Sequence, residues 1–128
     1  MSGAILVIED DTATVELIHE ALEAEGHTVL HASGAAGLAL ARVALPAVIL
    51  LDINMPGMDG PEVSRLLRAD PRTARVPIVC MSSHVARGGI PMEMVHDDCL
   101  AKPFALDDLY ATVARWRGAE PVNRADLR

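Results

Sequence analysis

The sequence predicts an α/β fold in which five β-strand and α-helix pairs form a parallel five-stranded sheet with helices on both faces. Short apolar runs of strand length recur at 4–8, 27–32, 47–51, 77–81 and 99–101. Several are continuous rather than alternating, the pattern of strands covered on both faces, which belongs to parallel sheets. Segments of helical period stand between them, so the order reads (βα)₅ in three layers. At 128 residues the chain fits one compact domain.

The first strand, Ala4–Ile8, leads into a helix in which Val15, Ile18 and Leu22 share one face. Glu16, Glu20 and Glu23 form the opposite, charged ridge. Thr12 is the expected cap at its start, with Asp11 as the alternative, and Gly26 is expected to end it in a left-handed conformation. After the second strand, Ser33 is expected to cap an Ala-rich helix that stops before Pro46. Pro61 suits the first turn of a third helix, with Val63, Leu66 and Leu67 turned inward. Gly88-Gly89-Ile90-Pro91 interrupts the next segment, so a short fourth helix is expected from near Pro91. The last helix carries Leu106, Leu109, Tyr110 and Val113 on one face, with Asp107 and Asp108 at its positive end. Residues 1–117 therefore read as the folded domain and 118–128 as a frayed polar tail.

Hydrophobic residues make up 51% of the chain, enough for a core without disulfide or metal staples. The only aromatics are Phe104, Tyr110 and Trp116, so that core must be aliphatic. A net charge of −7 argues against a nucleic-acid partner and against an anionic membrane surface. The basic cluster Arg65, Arg68, Arg72 and Arg75 reads as a solvated helix edge. Cys80 and Cys99 lie in apolar runs without metal-ligand spacing and read as buried free thiols, which suits a reducing cytoplasm. Met1-Ser2-Gly3-Ala4 does not resemble a signal peptide, and Arg42 and Pro46 break the longest apolar stretch, so a cytoplasmic location is expected.

In an open parallel sheet, ligands bind beyond the carboxyl ends of the strands. Strand one ends in Glu9-Asp10-Asp11, strand three in Asp52, strand four in Ser82-Ser83 and strand five in Lys102-Pro103. Each has an ordinary explanation as a cap, turn or surface residue. Together they place an acid pair, a lone Asp, a hydroxyl and an ammonium on one rim. Lys102 is the sole lysine beside ten arginines. A compact ammonium on a flexible stem reaches a phosphoryl oxygen as a point charge, where a planar guanidinium would crowd it. Clustered carboxylates repel one another, and a hard divalent cation such as Mg²⁺, which takes about six oxygens, relieves that repulsion. Asp10 and Asp52 can supply carboxylate oxygens, and the loop beyond Asp52 a backbone carbonyl.

These segments are recognisable. Ile5 to Asp11, Leu50-Leu51-Asp52-Ile53-Asn54-Met55-Pro56-Gly57-Met58-Asp59-Gly60, Pro77 to Ser82 and Lys102-Pro103-Phe104 resemble the receiver domains of two-component response regulators. The resemblance runs from about residue 4 to 117. It implies a flavodoxin-like, doubly wound sheet of order 2-1-3-4-5, a cis Lys102–Pro103 bond and Mg²⁺ as cofactor. Asp52 becomes the phosphoacceptor and Asp10 a direct metal ligand, with the Asn54 backbone carbonyl completing the set and Glu9 acting through water. Ser82 becomes the switch hydroxyl and Lys102 the partner of the phosphate. The implied partners are a sensor histidine kinase or phosphotransfer protein and a downstream protein target, with the chain a monomer or weak dimer. The expected function is a phospho-switch with slow autodephosphorylation and no separate substrate turnover.

The chain departs from that pattern at Cys99, where the family usually carries Tyr or Phe. Switching is therefore expected to fall on residues 84–95 around Gly88-Gly89, and His84, like Asn54, is a candidate for tuning dephosphorylation. No DNA-binding or catalytic output domain is expected to follow. The alternatives are a receiver fragment of a hybrid kinase or longer regulator, and a partner-binding receiver with little phosphorylation. A phosphatase with an Asp nucleophile fits poorly, because Asn54 stands where such enzymes need a second acid.

Overall fold

The computed structural model describes residues 3–55, 58–82 and 94–117. Five parallel strands form the main sheet: β1 (Ile5–Ile8), β2 (Val29–Ala32), β3 (Val48–Asp52), β6 (Ile78–Ser82) and β7 (Asp98–Ala101). Their order is β2-β1-β3-β6-β7. Counting only these five, this is the expected order 2-1-3-4-5, with the reversal between β1 and β3. A further antiparallel pair, β4 (Asn54–Met55) and β5 (Met58–Asp59), follows β3 and adds to the elements that the sequence predicts. The described helices are α1 (Thr12–Ala24), α2 (Ala35–Ala44), α3 (Gly60–Ala69) and α4 (Leu106–Arg117). The short helix expected near Pro91, the Gly88-Gly89 element, His84 and the tail from Gly118 lie outside the described residues.

Alternation along the strands divides the core into two layers. Ile5, Val7, Val48, Leu50, Val79, Met81 and Leu100 pack against Ile18, Ala21 and Leu22 of α1 and Leu109 and Val113 of α4. Leu6, Ile8, Ile49, Leu51, Ile78 and Cys80 face the other way, against Leu38 and Ala41 of α2 and Val63 and Leu67 of α3. β1, β3 and β6 are buried along their whole length, which explains their unbroken apolar sequence.

Several local expectations need correction. Asp11, not Thr12, caps α1: its carboxylate accepts from the Thr14 N–H at 3.0 Å, and a carboxylate satisfies an orphan amide better than a hydroxyl displaced by one residue. Gly34, not Ser33, is the cap residue of α2, and no side chain bonds there. Gly34 has φ +59°, a conformation that favours glycine, so the chain enters α2 through backbone geometry rather than a hydroxyl. Leu66 and Leu106 are more than a third exposed, because each lies at the margin of its helix's apolar stripe. The arginine cluster is not simply a solvated edge. Arg68 pairs with Asp97 at 2.8 Å and Arg72 with Asp70 at 2.9 Å. Cys80 is buried as expected, whereas Cys99, on edge strand β7, is only half-buried. Gly26 does adopt positive φ (+93°) after α1.

Candidate functional site

The same alternation that builds the α1/α4 layer delivers charge to one end of it. Ile5 and Val7 are followed in step by Glu9, Val48 and Leu50 by Asp52, and Leu100 by Lys102. These three apolar rows thus end, at the carboxyl edge, in ionisable side chains pointing to the same side. Glu9 and Asp52 are almost wholly buried, whereas Asp10 is exposed.

The Lys102 ammonium joins them. Nζ lies 2.8 Å from Oε1 of Glu9 and 3.5 Å from Oδ1 of Asp52. The Asn54 N–H donates to the same Asp52 oxygen at 3.2 Å, and the Asp11 N–H donates to Oε2 of Glu9 at 3.1 Å. Lys102 is held in turn from the sheet, its own N–H donating to the carbonyl of buried Ser82 at 3.0 Å. The Lys102–Pro103 peptide is cis. The His31 ring lies 3.0 Å from the backbone carbonyl of Glu9. A cavity of about 300 Å³ opens beside Lys102, lined by Thr14, Leu17, Pro103 and Phe104.

Burial pushes the Glu9 carboxyl up from its ordinary value, and Asp52 adds to that, against the opposing pull of Lys102 and the Asp11 amide. Burial alone would lower the Lys102 ammonium, yet the Glu9 hydrogen bond and the Asp52 charge raise it. Both groups therefore hold their protons more firmly than in water, Glu9 chiefly because it is buried and Lys102 because of the carboxylates beside it. Oxygens of Glu9, Asp10 and Asp52 lie within 4.8 Å of one another, and this trio is a group able to hold a cation among the described residues. The donors are hard oxygens, one carboxylate is open to solvent, and the charge excess is unneutralised. That combination fits Mg²⁺ better than a soft metal.

The structure thus brings together Glu9, Asp10, Asp52, Asn54, Ser82 and Lys102, the residues singled out in the sequence. What the sequence did not reveal is the direct Glu9–Lys102 pair, which joins residues 93 positions apart. Nor did it mark His31, which reads as an ordinary position on an edge strand.

The family model for the response regulator receiver domain matches residues 5–114. The chain belongs to the response regulator receiver family. The receiver is 42% identical over 112 residues to the response regulator PleD of Caulobacter vibrioides, covering 85% of this chain and 24% of PleD. It is 35% identical to the DNA-binding response regulator MtrA of Mycobacterium tuberculosis, covering 99% of this chain and 58% of MtrA. The chain thus spans a quarter to somewhat over half of these relatives. Among solved structures, the receiver domain of sensor histidine kinase PA1611 from Pseudomonas aeruginosa superposes with a TM-score of 0.84 at 27% identity, covering 92% of this chain and 99% of that one. That structure has a magnesium ion coordinated in its active site cleft. No helix among the described residues is long and apolar enough to cross a membrane.

Proposed function

We propose that this receiver takes a phosphoryl group from a phosphohistidine onto Asp52 and, so modified, changes the protein it binds. The observation that carries this reading is the convergence of Glu9, Asp10 and Asp52 oxygens within 4.8 Å, with Lys102 beside two of them. The histidine N–P bond breaks as an Asp52 oxygen forms the new P–O bond, and the imidazole leaves with the electron pair. Asp10, Asp52 and the Asn54 carbonyl are the proposed holders of Mg²⁺, with Glu9 acting through water. When bound, the ion supplies positive charge that lets an anionic carboxylate and an anionic phosphoryl group meet.

Lys102 is the proposed partner of a phosphoryl oxygen, and its 3.5 Å separation from Asp52 leaves it beside the acceptor without a tight bond. Ser82, the last residue of β6, is the proposed switch hydroxyl, and Asp52 and Met81 are register partners in the neighbouring strands. The chemistry ends on the protein itself, so no separate substrate is turned over. Mg²⁺ is the cofactor, a histidine kinase or phosphotransfer protein the donor, and the cytoplasm the setting. The net charge of −7 supports a domain that does not itself engage nucleic acid. A second reading, the receiver part of a longer regulator or hybrid kinase, is favoured by the short coverage of PleD and MtrA. Phosphotransfer from a panel of autophosphorylated histidine kinases tests the proposal. One kinase should load the protein within seconds when Mg²⁺ is present and not when it is chelated. Loading that is indifferent to chelation would contradict it.

A further inference from the structure

We infer that His31 is a positioning residue for the acid pair: its imidazole pins the peptide that aims Asp10 and thereby sets the site's affinity for a divalent cation. The inference rests on the metal-site reading above and extends it to a residue outside the acidic cluster.

Asp10 is the exposed member of that cluster, so packing does not fix its direction. The two peptides that flank it do. On the far side, the Asp11 N–H donates to Oε2 of Glu9 at 3.1 Å, and Glu9 itself is buried and tied to Lys102. On the near side, the carbonyl of Glu9 belongs to the Glu9–Asp10 peptide, and Nε2 of His31 lies 3.0 Å from it. A carbonyl can only accept, so Nε2 carries the proton and donates.

A side chain is needed here because the strand ladder has run out. The Glu9 N–H still finds a backbone partner, the Ala32 carbonyl at 3.2 Å, but Ala32 is the last residue of β2. Beyond it the chain turns through Gly34, at φ +59°, into α2. His31, level with Val7 in the register, reaches forward along the sheet and supplies the missing donor. Removing that donor would leave the Glu9 carbonyl to water and free one of the two hinges of Asp10. Outer contacts that orient metal ligands typically change affinity by about ten- to a hundredfold, and a contact to backbone falls at the low end of that range.

The experiment is a Mg²⁺ titration followed by the amide NMR shifts of Asp10, Ile53 and Asn54, in the wild type, His31→Ala and His31→Gln. Glutamine carries an amide N–H at a reach similar to that of Nε2. His31→Ala should bind Mg²⁺ about tenfold more weakly, and His31→Gln should recover most of the loss. Wild-type affinity in His31→Ala would overturn the inference. Equal weakening in both variants would also overturn it, since ring bulk rather than a donor would then be responsible. A wild-type protein that shows no Mg²⁺ response would instead bring down the metal-site reading on which the inference stands.

Discussion

The Lys102 ammonium lies 2.8 Å from a carboxylate oxygen of Glu9, whose side chain is about 1% exposed. Breaking a buried pair from one side strands a charge where water cannot reach it, at a cost of roughly 3 kcal/mol. Lys102→Met should therefore destabilise the fold by about that amount in urea denaturation at neutral pH. Glu9→Gln with Lys102→Met should recover part of it, because Glu9 then carries no charge, while the Asp52 carboxylate, 3.5 Å from Nζ in the wild type, has still lost its partner. Strictly additive losses in the double variant would show that the two residues are not coupled.

Close packing of α2 on β1 gives a second prediction. A methyl group at Gly37 would sit 2.8 Å from Cγ2 of Ile8, nearer than side-chain carbons pack. Gly37→Ala should cost about 1–3 kcal/mol despite the better helix propensity of alanine. In an Ile8→Ala background, which lacks Cγ1, Cγ2 and Cδ1, the same substitution should cost less. A Gly37→Ala protein more stable than wild type would mean that Ile8 moves aside freely.

The strands and the rim of the site were legible because β1, β3 and β6 are buried on both faces, which leaves an unbroken apolar signature ending in Glu9, Asp52 and Ser82. Helix faces were legible as far as period 3.6 fixes them, and failed at the margins, where Leu66 and Leu106 could face either way. Helix starts were harder. Asp11 and Thr12 are both good caps, and choosing between them depends on where the amides point. The β4/β5 pair, at two residues per strand, carries no periodicity to detect. The His31 contact depends on β2 lying beside β1, and the Glu9–Lys102 pair on the order of the whole sheet, which sets β3 and β6 between β1 and β7; local sequence encodes neither.

Asp70 gives a pH dependence. Hydrogen bonds from the Arg72 side chain and backbone hold its carboxyl down to about 2 from 3.8, and Arg42 of α2 pairs with it at 2.9 Å. A folded-state value below the unfolded one means the ionised form is favoured by folding. The stabilisation is therefore complete above 3.8 and fades as pH falls toward about 2. Wild type should be more stable than Asp70→Asn at neutral pH, with the gap closing below pH 4. A gap that stays constant from neutral pH to the acid limb would remove the carboxylate charge as its cause.

Cys80 gives a test of burial. Burial, with Cys99 beside it in the register of β6 and β7, pushes its thiol up to about 12. Only the thiolate reacts with disulfide reagents, so Cys80 should be inert in the native protein at pH 8. In a Cys99→Ser protein, reaction with an aromatic disulfide should appear only on unfolding. Prompt reaction under native conditions would show that the α2/α3 face opens above β6.

The most direct test is intact-mass measurement after incubation with Mg²⁺ and acetyl phosphate, comparing wild type with Asp52→Asn. Wild type should gain one phosphoryl group, released by hydroxylamine as acyl phosphates are, and Asp52→Asn should gain none. An Asp52→Asn protein that takes up phosphate at the wild-type rate would contradict the account.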